Sequence, residues 1–104
     1  MQKLMFSVPT PLGFSVRTTH EYWALLLRKH PEVTGKETEV QRCLQEPEQV
    51  RRSKQDQAVY LFYRALPPYH LAVVVRRLDG DGFIITSYIT DKMKEGEPTW
   101  PTSA

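Results

Sequence analysis

The sequence predicts an α+β fold: two N-terminal helices, then an antiparallel β-meander of about four strands, preceded by a hairpin or arm. Three observations carry this. Apolar residues recur at helical spacing from Trp23 to Leu44 and not beyond. After Pro47 the pattern changes to alternation in segments rich in β-branched and aromatic residues. Asp79-Gly80-Asp81-Gly82 then marks a tight hairpin, because aspartate and glycine tolerate the positive φ that such turns need. The 104 residues fit one domain, with residues 1–18 as the hairpin or arm, 19–100 as the domain and 101–104 as a tail.

Residues 4–8 and 12–17 are extended pieces split by Pro9, Pro11 and Gly13. The first helix starts at Thr19, an N-cap residue with Glu21 in the first turn. Trp23, Leu26, Leu27 and His30 form its apolar stripe, and Pro31 stops it. Thr34 and Glu37 make a capping-box pattern for a second helix over residues 34–45, whose apolar face is Val40, Cys43 and Leu44. Strands follow at 50–53, 58–64, 70–78 and 83–90, with Pro67-Pro68 as a turn, and the chain after Lys94 reads as a fraying tail.

Alternation assigns faces to these strands. Phe83, Ile85 and Ile89 share one face of the last strand, and Thr86, Tyr88 and Thr90 the other. Val59, Leu61, Val73 and Val75 fit the helix-covered face, which leaves Tyr60, Arg64 and Arg76 opposite on an open face of hydroxyls and guanidinium groups.

Composition bounds the function. A hydrophobic fraction of 40% and a charged fraction of 25% describe a globular chain, not a disordered one. A formal net charge of +2 is well short of an obligate nucleic-acid coat, so local clustering of charge decides. The lone Cys43 allows no internal disulfide and reads as a small buried hydrophobe. Residues 1–10 have no signal-peptide pattern and no run is long enough to span a bilayer, so a cytoplasmic protein without membrane contact is expected. There is no phosphate loop and no nucleophile elbow, and His20, His30 and His70 are too scattered for zinc; no metal or cofactor is expected.

Metal-free acid–base chemistry or plain binding remains. His30 is either a helix-end histidine favoured by the dipole or a general acid or base. Arg51 and Arg52, beside Ser53, are either solvated charge or forks for phosphate. Thr86, Tyr88 and Thr90 are good β-formers that would also present hydroxyls.

Three stretches together, KHPEVTGKETEVQRCL (29–44), EPEQVRRSKQDQAVYLFYR (46–64) and DGDGFIITSYITDKMKEGEPTW (79–100), resemble a family of small bacterial proteins common in cyanobacteria. That family resembles the barnase–EndoU–colicin–RelE group of RNase toxins. The resemblance covers residues 19–100 through a His-Pro-Glu after the first helix, an Arg-x-Ser strand opening, a Tyr-Arg strand end and a Thr-Asp-Lys after the last strand. It implies helices on a curled sheet, an active site on the open sheet face, and metal-independent RNA cleavage by 2′-OH attack on phosphate. It further implies that His30 acts as base or acid with Tyr88 and Thr90, and that Ser53 donates a hydrogen bond. The substrate phosphate would be held by Arg51, Arg52, Arg64, Arg76 and Lys92. A cognate antitoxin would cover the basic face. Two other readings stand beside it: a binding module for RNA or protein that kept the fold without catalysis, and a homodimer that pairs sheet edges.

Overall fold

The computed structural model describes residues 3–93 and 96–101. Its backbone is one seven-stranded mixed sheet with two α-helices on one face, which corrects the expected four-strand antiparallel meander. The strands are β1 (Leu4–Pro9), β2 (Ser15–Thr19), β3 (Gln49–Arg52), β4 (Val59–Leu66), β5 (Tyr69–Leu78), β6 (Asp81–Thr90) and β7 (Glu97–Trp100), in the spatial order β1-β2-β6-β5-β4-β3-β7. The antiparallel run from β3 to β6 is therefore the middle of the sheet. Both ends of the sheet come from segments that read as arm and tail.

At one end, β1 and β2 form a hairpin, and β2 pairs in parallel with residues 81–83 of β6. A parallel neighbour is possible because α1 (His20–Lys29), a 3-10 turn (Pro31–Val33), α2 (Glu37–Gln45) and β3 to β5 all lie between β2 and β6 in sequence. The segment carries inward-facing Phe6, Val8, Phe14 and Val16, and burying them is what holds it in the sheet. At the other end, β7 pairs antiparallel with β3. Residues 102–104 of the expected tail lie outside the described residues.

Thr19 caps α1 as expected, its hydroxyl accepting from the Tyr22 N–H at 3.1 Å. Trp23 and Leu26 face the core, and Trp23 meets Phe6 edge-on at 6.3 Å. The second helix starts later than the capping-box pattern suggests. Its N-cap is Lys36, without a side-chain cap, because Pro31 opens the 3-10 turn and Gly35, at φ 79°, redirects the chain after Thr34. Val33, Val40, Cys43 and Leu44 from these turns are fully buried against Phe62, Leu71 and Val73 of the sheet. Each such side chain contributes about 1.5–3 kcal/mol on burial. The β5–β6 turn is Asp79-Gly80, at φ 40° and 84°, the two positive values that a type I′ hairpin requires.

The face assignment needs two corrections. In β4, Tyr60 and Phe62 point to the helices while Leu61 and Tyr63 point away, the reverse of the expectation; both parities are apolar there, so alternation could not choose. In β6 a bulge intervenes: Val75 pairs with Ile84 and Val74 with Thr86, leaving Ile85 over. Ile84, Ser87 and Ile89 thus belong to the helix side, and Phe83, Thr86, Tyr88 and Thr90 to the other. Ile85 and Ile89, expected on one face, are separated by this extra residue.

The second face is not open at its centre. Leu61, Tyr63 and Ala72 are buried there in a small cluster that Tyr88 and Met93 help cover. After β6, Met93 packs against this cluster and Gly96 lies close to β3. A Cβ on Gly96 would sit 3.0 Å from the Arg52 carbonyl oxygen and 3.2 Å from the Arg51 Cβ. Gly96→Ala is therefore expected to destabilise the protein by about 1–3 kcal/mol in chemical denaturation, through forced displacement of β3. An unchanged midpoint would mean that Gly96 does not lie against β3.

Candidate functional site

His30 ends α1 and Pro31 turns the chain back toward β6. This brings the imidazole over Tyr88, with ring centroids 5.9 Å apart and planes tilted by 38°. The His30 Nδ1 lies 3.3 Å from Glu32 Oε2, across the 3-10 turn. A carboxylate at Nδ1 selects the tautomer that carries its proton there and leaves Nε2 free to accept one. On one side His30 borders a groove of about 590 Å³ between α1 and the β6 bulge, with Arg28 and Lys29 on its rim and Tyr22, Leu25 and Thr86 in its walls. On the other, Glu32 and Thr90 share a second depression of about 570 Å³.

The bulge shapes this groove. β2 leaves β6 after residue 83, and the Tyr22 hydroxyl donates to the freed Ile85 carbonyl at 2.7 Å. Helix α1 is thus pinned beside the strand rather than paired with it. Burial holds the Tyr88 phenol above its usual range, with a hydrogen bond from Tyr63 acting in the opposite sense. At neutral pH this phenol stays protonated.

The remaining residues expected at the site are dispersed. Thr90 faces the same side as Tyr88, but its hydroxyl donates to the Lys92 carbonyl at 2.8 Å and accepts from the Lys92 N–H, closing a local turn. The Lys92 side chain thus follows that turn and is exposed. The Ser53 hydroxyl accepts from the Gln55 and Asp56 N–H groups in the β3–β4 loop. Arg51 lies on the Tyr88 face, its Nε on the Gln49 side-chain carbonyl. Arg52 lies on the helix side, over the Tyr60 ring at 5.4 Å. Arg64, also on the helix side, donates to the Glu46 carbonyl that ends α2. Arg76 is on the Tyr88 face, ion-paired with Asp56 at 2.7 Å. Arg52, Arg64 and Arg76 were expected to put at least two guanidinium groups on one open face; Arg52 and Arg64 lie on the helix side toward opposite ends of β4, and Arg76 lies on the other face.

Sequence reasoning missed Glu32, Arg28, Lys29 and Tyr63. Glu32 stands two residues after His30 in His-Pro-Glu, a spacing that a proline-led turn folds into contact. Arg28 and Lys29 stand in the last turn of α1, and Tyr63 is one of several aromatics in β4. Among the described residues, no group of three or more His, Cys, Asp or Glu side chains is placed to hold a metal ion. No helix there is long and apolar enough to cross a membrane.

Comparison with family models, with curated proteins and with solved structures finds no match for this chain.

Cys43 is fully buried, its thiol donating to the Leu71 carbonyl at 3.8 Å, and burial pushes its pKa up to about 12. It should resist thiol reagents at pH 8 in the native protein and react on unfolding. Labelling at the native rate of a free thiol would show that the core opens. Asp56 is held below its ordinary 3.8, first by the Ala58 N–H and then by Arg76. A depressed carboxyl contributes stability above the unfolded value that is lost as pH falls through the folded one. In an NMR titration Asp56 should therefore have its midpoint below 3.8, and Arg76→Met should leave part of that depression because the Ala58 bond stays.

Proposed function

We propose that the protein cleaves RNA without a metal, with His30 accepting the proton of a ribose 2′-OH at the mouth of the groove between α1 and β6. What carries the reading is the His30–Glu32 pair set beside the Tyr88 ring at a solvent-accessible rim. The 2′ oxygen bonds to phosphorus, the bond from phosphorus to the 5′ oxygen breaks, the 2′ proton passes to His30 Nε2, and the leaving oxygen takes a proton from solvent. Glu32 orients the imidazole. Lys29 and Arg28 provide the positive charge nearest the groove, in place of the dispersed strand arginines. The sequence resemblance to RNase toxins supports the same chemistry. An antitoxin-type partner would then need to cover this rim.

A second reading is favoured by the commitment of Arg64 and Arg76 to internal partners. In it, the chain binds RNA or protein at the same rim and does not cut.

The test is incubation of single-stranded RNA with the protein in the presence of a chelator. The expected result is cleavage leaving 2′,3′-cyclic phosphate ends, slowed by about 10²–10⁴ in His30→Ala, since that is the usual contribution of a general acid or base. The variant should melt within a few degrees of the parent, because the side chain packs on one ring only. RNA that stays intact, or is cut equally by the variant, sends the assignment to the binding reading.

A further inference from the structure

At the far end of the helix-covered face the strands carry a second charged feature. Phe14, from the β1–β2 hairpin, and Tyr60, from β4, pack with centroids 5.8 Å apart. Arg77 lies over the Phe14 ring at 4.7 Å and Arg52 over the Tyr60 ring at 5.4 Å. The two guanidinium groups therefore flank an aromatic pair. They border a depression of about 440 Å³ that Gln57, Asp79 and Gly80 complete. Arg52 aligns across β4 with Val75, so Arg77 stands two strands away and two residues further along, roughly 12 Å, a gap that two long arginine side chains can close over one ligand.

We propose that Arg52 and Arg77 form a binding site for a phosphate group, separate from the His30 rim. Three observations converge on it. Arg17, Arg42 and Arg76 are ion-paired with Asp81, Glu46 and Asp56, whereas Arg52 and Arg77 have no ion pair among the described residues. Both are held in place, by their rings and, for Arg52, by a 2.7 Å bond from Nε to the Gln57 carbonyl, so little side-chain freedom is left to lose on binding. The chemistry also selects the ligand. A carboxylate is satisfied by one guanidinium fork, but a phosphate offers oxygens to two.

Asp79 also borders the depression and leaves it a net single positive charge. A bare anion is thus held modestly. A phosphate with a hydroxyl beside it, as on a ribose, has a donor for that carboxylate.

The phosphate can come from a small phosphorylated molecule or from an RNA backbone, and the probes separate these. The experiment is a titration of backbone amide resonances of the whole chain at low ionic strength with inorganic phosphate, a nucleoside monophosphate and, in the His30→Ala background so that it is not cut, a short single-stranded RNA. We expect shifts at Arg52, Gln57 and residues 77–80, absent with sodium chloride at equal ionic strength. Arg77→Met and Arg52→Met keep the apolar stem over the ring and should each weaken binding roughly tenfold or more. Tighter binding of RNA than of the monophosphate, lost in the same variants, assigns the backbone; equal affinities assign the small ligand. Shifts that are absent, or unaffected by both variants, overturn the proposal. His30→Ala separates this site from the cleavage reading. Phosphate binding that persists without any cleavage removes only that reading, and His30-dependent cleavage with no response at Arg52 and Arg77 removes only this one.

Discussion

One extra residue in β6 governs the rest of this structure. With Ile85 bulged out, the strand keeps Ile84 in the core, then presents Ser87 and Ile89 to the helices and Thr86, Tyr88 and Thr90 to the other face. In strict alternation, Tyr88 would fall on the same side as Ile84. The bulge also ends the pairing with β2 and frees a carbonyl, and the Tyr22 hydroxyl satisfies it. That contact holds α1 beside the strand at the point where a groove remains between them. His30, at the end of α1, arrives over Tyr88 as a consequence.

A similar constraint acts on the other face. After β6, Met93 closes over Tyr63 and Ala72. The protein therefore has two apolar layers, a large one under the helices and a small one under Met93. A face that binds a polymer across its whole width would need to stay uncovered. This one leaves access at the β6 edge, where His30 and Glu32 stand, and that confines any chemistry to a rim.

Local features of this architecture were legible in the sequence, and long-range ones were not. Thr19 as a cap, the Trp23–Leu26 stripe, burial of Cys43 and the Asp79-Gly80 turn each depend on residues within a few positions of one another. The parallel docking of β2 on β6 joins segments more than sixty residues apart, and nothing in the pattern of residues 15–19 names its neighbour. The parity of β4 failed for a different reason. VYLFY is apolar at every position, so the strand is covered on both sides and alternation carries no direction. The resemblance grouped His30 with Tyr88 and Thr90, and only the folded chain shows which of the two the imidazole lies against. The inverted parity of β4 moves Arg64 to the helix side, while the pairing of Arg52 with Tyr60 and of Arg77 with Phe14 needed the folded hairpin to be seen.

The placement of Tyr88 by the β6 bulge can be read directly from proton–proton Overhauser contacts in the intact chain. Cross-peaks are expected from the Tyr88 ring to the His30 imidazole and to the Met93 methyl. Cross-peaks from Tyr88 to the methyl groups of Val40 and Leu44 instead, with none to His30, would put the ring in the helix-side core and contradict that placement.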